Sequence, residues 1–140
     1  YSDLDELVRL CKLHAHFEKC NYDSKHKAKK LNSHLFSEEP SLYCLIAEHE
    51  NQLIGYATYM KQLSTWDCAY YIYMDCLFLS ENARSFRIGV KLIDRIKIEG
   101  TKLACSHIQW QTPNFNIRAM KFYDRIGASS KSKERYFLTI

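Results

Sequence analysis

A chain of 140 residues, 46% of them hydrophobic, is long enough for one domain whose core needs neither disulfides nor metal. A formal net charge of +4 suits a phosphate-bearing partner but is too weak a field to argue for nucleic acid. No stretch approaches the ~18 consecutive apolar residues of a membrane span, and no basic-then-apolar leader opens the chain, so a cytoplasmic protein is expected.

The chain begins at Tyr1 rather than Met, and a short element before it is expected to be missing. From Asp3 to about Lys19 the apolar residues Leu4, Leu7, Val8, Cys11 and Ala15 recur at helical spacing, with Ser2 or Asp3 placed to cap. Cys11, His14, His16 and Cys20 have metal-ligand chemistry, but on one helix His16 points away from the face of Cys11 and His14. They read as ordinary helix residues, and no metal is expected. A second helix is expected over Ser24–Phe36, with Ala28, Leu31 and Leu35 inward. Its lysines, Lys25, Lys27, Lys29 and Lys30, form a solvated face. The six cysteines (Cys11, Cys20, Cys44, Cys68, Cys76, Cys105) are scattered, mostly in apolar contexts, and are expected to be reduced.

Beyond Pro40 the texture changes. Leu42–Glu48 and Leu53–Met60 read as strands joined by a tight polar turn, hence antiparallel neighbours. A third, aromatic strand runs from about Cys68 to Leu79. Phe86–Glu99 reads as a helix, with Ile88, Leu92, Ile93 and Ile96 inward and Gly100 closing it. Cys105–Gln111 reads as a strand, and Phe115–Ile126 as a helix capped by Gly127. Tyr136–Ile140 reads as a last strand. This order describes a mixed α/β sheet with helices on its faces, in a single domain spanning residues 1–140.

The strand–loop–helix over Leu77–Leu92 carries the first chemical signal. A loop entering a helix exposes unpaired backbone N–H groups at the positive end of the helix dipole, an arrangement that accepts a pyrophosphate. Arg84 and Arg87 add charge, and Gly89 allows close backbone approach. By itself Arg-Ser-Phe-Arg-Ile-Gly is no phosphate fingerprint, and an ordinary helix start with surface arginines fits it equally.

The segment Met74-Asp-Cys-Leu-Phe-Leu-Ser-Glu-Asn-Ala-Arg-Ser-Phe-Arg-Ile-Gly-Val-Lys-Leu-Ile resembles the acetyl-CoA motif of the GCN5-related N-acetyltransferase (GNAT) superfamily. Trp110-Gln-Thr-Pro-Asn-Phe-Asn-Ile-Arg-Ala-Met-Lys-Phe-Tyr-Asp-Arg-Ile-Gly-Ala resembles that superfamily's second signature. The two occur in the family's order and spacing. Leu13-His-Ala-His-Phe-Glu-Lys, Ser64-Thr-Trp and Tyr73-Met-Asp make the chain most similar to the diamine (spermidine/spermine-type) branch. The usual first strand would lie before Leu4 and is mostly absent.

The resemblance implies a splayed, mostly antiparallel mixed sheet with helices on both faces and acetyl-CoA in the gap. The thioester carbonyl would meet backbone N–H groups at Leu77, Phe78 and Leu79. The pyrophosphate would rest on Arg84, Ser85, Phe86, Arg87, Ile88, Gly89 and Val90. Asn116 would hold the pantetheine arm, and Tyr123 would face the sulfur as general acid. Asp75 would be the general base, standing where the branch has Glu; its shorter reach favours a water between it and the amine. Glu18, Trp66, Asp67 and Asp75 would bind a cationic amine. The implied reaction is transfer of acetyl to a primary amine of a small molecule by direct attack in a ternary complex. A homodimer is implied as well. Ser85 and Arg87 depart from the family loop, where glycine is common. An alternative reading is therefore a non-catalytic CoA-binding or protein-interaction module with a degenerate phosphate loop.

Overall fold

A computed structural model of the chain describes residues 3–83 and 87–140. Its helices are α1 (Leu4–Phe17), α2 (Lys27–Leu35), α3 (Ile88–Lys102) and α4 (Ile117–Arg125). Its strands are β1 (Tyr43–His49), β2 (Gln52–Ser64), β3 (Ala69–Leu79) and β4 (Cys105–Gln109). The strands form one sheet in the order β1-β2-β3-β4. β1 to β3 are antiparallel, and β4 joins β3 in parallel by way of α3. The mixed, mostly antiparallel sheet is thus as expected.

Each face of the sheet is covered because β1, β2 and β3 carry apolar residues on both sides. On one face Leu7 and Leu10 of α1 pack with Leu53, Tyr56 and Phe78, and Leu31 and Leu35 of α2 close around them. On the other face Leu92, Ile93 and Ile96 of α3 pack with Ala57, Tyr59, Ile72 and Met74, joined at the edge by Phe122, Tyr123 and Ile126 of α4. Leu10, fully buried, was not among the expected inward residues of α1. The buried stripe runs 7, 10, 11, 14 and so leads into His14.

Several expectations need correction. Gly100 does not close α3 but lies inside it, buried, where an added Cβ would stand 3.2 Å from Ile72 Cγ1. It is a packing glycine that lets the helix settle on the sheet. Asp3 is the α1 N-cap residue without a side-chain capping bond, whereas Ser2 lies outside the described residues. The helix expected from Ser24 begins three residues later, at Lys27. The last strand is not formed: Tyr136–Ile140 has no ladder, and Tyr136, Phe137, Leu138 and Ile140 stand exposed. Apolar, β-prone residues make a strand only where an edge accepts them. Gly127 does take the left-handed turn expected of a helix terminator, with φ +85°.

Candidate active site

The ladder between β3 and β4 is short. It runs from Tyr70↔Cys105 to Tyr73↔Gln109, while β3 continues to Leu79. Among the described residues no strand lies beside one edge of 74–79, and the chain beyond Gln109 turns away toward α4. The sheet splays at this point, and a cleft of about 760 Å³ opens between β3, the start of α3, the end of α1 and α4.

Asp75 owes its position to a β-bulge. Tyr59 pairs with Met74 and Thr58 with Cys76, so Asp75 is the extra residue on β3. A bulge re-aims a side chain and reverses the in–out alternation that follows it. Before it, Ile72 and Met74 face α3; after it, Leu77 and Leu79 do, while Cys76 and Phe78 face α1. Asp75 is left exposed in the wall of the cleft, together with Leu77, Phe78 and Leu79.

Arg87, Gly89 and Val90 line the cleft at the start of α3. Arg87 is the residue before the helix and is held at φ 54°, ψ 23°, a left-handed conformation that favours glycine. Gly89 is buried, and a Cβ there would come within 3.1 Å of Phe122 Cζ. Its lack of a side chain is what allows α4 to close against α3. Ile88, the first residue of α3, packs against the core beneath. Arg84, Ser85 and Phe86 lie outside the described residues.

On the opposite wall α4 presents Asn116, Ala119, Phe122, Tyr123 and Ile126. Asn116 is the helix N-cap, its Oδ1 accepting from the Ala119 N–H at 3.2 Å. The amide is thereby oriented, and its NH₂ keeps donor capacity. Tyr123 is wedged between Trp110 and Phe122, with ring centroids 5.0 and 5.3 Å away. Burial, and then the negative charge of Glu18, push its hydroxyl up to about 12, so it stays protonated through the neutral range.

The end of α1 supplies His14, Phe17 and Glu18. His14 stacks on Phe78, with centroids 5.1 Å apart and planes at 24°. Its Nδ1 is 2.9 Å from Tyr56 Oη and its Nε2 3.2 Å from Glu18 Oε1. Lys19 Nζ sits 4.9 Å over the Phe115 ring, tying the end of α1 to the loop before α4. An exposed carboxylate, a protonated phenol and the stretch of β3 beyond the β4 ladder thus share one cleft. Such an arrangement can take a proton from a nucleophile, hydrogen-bond a developing oxyanion and protonate a leaving group.

Comparison with known proteins agrees with that chemistry. Residues 3–128 match the model of the acetyltransferase (GNAT) family. The chain belongs to this family. It is 26% identical to the thialysine N-epsilon-acetyltransferase of Mus musculus, covering 99% of this chain and 85% of that one. It is 29% identical to the Bos taurus enzyme of the same name, over 90% and 78%. Among solved structures it is similar to an integron cassette protein of V. cholerae, with TM-score 0.77, 26% identity and coverage of 96% and 85%. The protein is therefore an N-acetyltransferase on the GNAT fold.

In this acetyltransferase the residues expected from sequence divide into two groups. Glu18, Asp75, Leu77, Phe78, Leu79, Arg87, Gly89, Val90, Asn116 and Tyr123 all line the cleft. Trp66 and Asp67, expected beside the amine, do not. Both sit in the β2–β3 turn, where Asp67 accepts from Ser64 Oγ at 2.8 Å and Trp66 is 96% exposed. His14 lines the cleft although the sequence reading set it aside as an ordinary helix residue. The usable signal was its spacing, three residues after Cys11 on the buried stripe and four before Glu18. Cys11, His14 and His16 do not converge on one point: His14 turns to Tyr56 and Glu18, and His16 is exposed. No described helix is long and apolar enough to cross a membrane.

Proposed function

We propose that the protein transfers the acetyl group of acetyl-CoA to a primary amine of a small molecule that carries a second amino group, a diamine or a diamino acid. Attack is direct, within a ternary complex. The observation that carries this reading is the opposition of Asp75 and Tyr123 across the cleft where β3 and β4 part. The names of the mammalian relatives support an amine acceptor.

In this reading the donor enters the splay with its phosphates at the start of α3. Arg87 and the first N–H groups of that helix face them, and its arm runs past the amide of Asn116. A free alkyl amine has a pKa near that of Lys, ~10.4, so it arrives as an ammonium. Asp75, directly or through one water, accepts the proton as the new C–N bond forms. The edge of β3 that lines the cleft beyond the β4 ladder supplies backbone N–H donors to the oxyanion. Tyr123 donates to the departing thiolate. Glu18 and Asp75 make the acceptor end anionic. A homodimer belongs to the same reading, supported by the apolar side chains that Tyr136–Ile140 leaves exposed.

The test is amine-dependent thiol release from acetyl-CoA across diamines, thialysine, aminoglycosides and monoamines. A fluorescent CoA-thiol reagent is blanked against the protein, because the Cys20 and Cys68 thiols are exposed and will react. Release that depends on one amine class supports the reading and names the acceptor. No release with any amine sinks it.

A further inference from the structure

The groups around His14 are arranged to fix something beyond the histidine itself. A carboxylate is only an acceptor, so the 3.2 Å contact with Glu18 requires the proton on Nε2. Nδ1 is then free to accept from the Tyr56 hydroxyl at 2.9 Å; this tautomer is assigned from the bonding pattern. Tyr56 is buried in the core. The imidazole is therefore pinned at one nitrogen by a core residue and flattened on Phe78. Its other N–H points at Glu18.

Glu18 is the C-cap residue of α1, where a long side chain has many rotamers to lose on binding. Held by Nε2–H, it is pre-organised toward the cleft, on the side of Tyr123, whose hydroxyl responds to its charge. Two carboxylates then serve different ends of the acceptor, Asp75 at the reacting nitrogen and Glu18 at a second charge.

We propose that His14 is a positioning residue for the acceptor: it holds the Glu18 carboxylate as the docking group for the second ammonium of the substrate, and so selects amines with two cationic centres over those with one. This rests on the acetyl-transfer reading above. It assigns His14 no contact with the reacting atoms.

The matched probes are thialysine and its Nα-acetyl derivative, which differ at the second ammonium, each with acetyl-CoA. Wild type is expected to prefer thialysine. His14→Leu should raise the KM for thialysine about tenfold, the scale of losing one hydrogen bond to a charged group. The change in kcat, and in the KM for the Nα-acetyl probe, should be much smaller. Glu18→Gln should erase the same preference, and His14→Gln, which keeps an N–H donor, should restore part of it. An unchanged preference in His14→Leu overturns the proposal while leaving acetyl transfer standing. Absence of transfer by wild type overturns the underlying reading, and the proposal falls with it. Should His14→Leu fail to fold, 15N spectra of the wild-type histidines decide. An Nε2–H tautomer for His14, displaced in Glu18→Gln, supports the arrangement; a His14 resonance indifferent to Glu18→Gln overturns it.

Discussion

Replacing Tyr123 by Phe removes one oxygen from the cleft and leaves the ring between Trp110 and Phe122. The stability cost should be about 1 kcal/mol or less, the scale of a single neutral hydrogen bond. The kinetic cost follows from the proton affinity of the group. An alkyl thiol has a pKa of ~8.5, whereas burial and Glu18 push Tyr123 up to about 12. Full proton transfer to the leaving sulfur would thus be uphill by roughly 5 kcal/mol, at 1.36 kcal/mol per unit. In the proposed reaction Tyr123 would therefore serve mainly as a hydrogen-bond donor to developing thiolate charge rather than as a strong acid. Loss of one such pre-organised donor costs about 10²-fold to 10³-fold, and the lower end applies here. The assay is kcat by thiol release at saturating amine and donor, with the KM for acetyl-CoA measured alongside. A hundredfold fall in kcat with little change in that KM is the expected result. Turnover of Tyr123→Phe within threefold of wild type would refute the assignment. A 10⁴-fold loss would show that full proton transfer occurs and that the pKa argument is wrong.

Other consequences can be measured separately. Gly55→Ala should destabilise the fold by about 1–3 kcal/mol in urea titration, because its Cβ would stand 2.8 Å from the Phe78 carbonyl oxygen and press on Leu79 Cδ2; a neutral effect would mean that this end of β3 yields freely. Arg87→Gly should relieve a left-handed conformation that costs a residue bearing a side chain ~1–2 kcal/mol, leaving Tm unchanged or higher while the KM for acetyl-CoA rises several-fold; a lower Tm would contradict the strain argument. Alkali should unfold the protein through its buried thiols and phenols. Burial raises Cys44, Cys76 and Tyr123 to about 12, so the folded state holds protons that the unfolded chain releases from about pH 9. Stability should be full below that point and fall by roughly 1.4 kcal/mol per pH unit for each group titrating, less partial solvent screening, up to pH ~12. A flat stability between pH 9 and 11 would exclude it.

The elements were legible where apolar residues repeat over several turns. Leu92, Ile93 and Ile96 place the buried face of α3 whatever the tertiary context, and the β-branched and aromatic composition of β2 and β3 reads as strand. What failed was whatever depends on a neighbour. Tyr136–Ile140 has the composition of a strand, but pairing is not a property of the segment alone. Gly100 looks like a terminator because glycine ends helices so often, and only the approach of Ile72 shows that it is kept for space. The site divides in the same way. Asp75 was conspicuous as a charge within an aromatic strand, and the bulge supplies the physical reason for tolerating it there. Trp66 and Asp67 had only resemblance behind them, and the turn that holds them lies elsewhere. His14 was overlooked because its neighbours Cys11 and His16 suggested metal chemistry, and that suggestion was weighed against the wrong partners.

The cleft exists because β4 stops early, and the sequence around its end explains why. β4 has five residues against eleven in β3. Continuing it through Trp110 and Gln111 would pair residues 74 onward and seal the edge that lines the cleft. Two features prevent this. Pro113 has no N–H to give a ladder, and it restricts the residue before it. Trp110 packs on Tyr123, an interaction unavailable to a strand residue facing the sheet neighbour. In the proposed reaction this stretch of β3 meets the acyl oxygen, so a strand laid along it would compete with the chemistry. A sequence that extended β4, for instance with Pro113 replaced by Val, should be more stable as a sheet and poorer as an acetyltransferase.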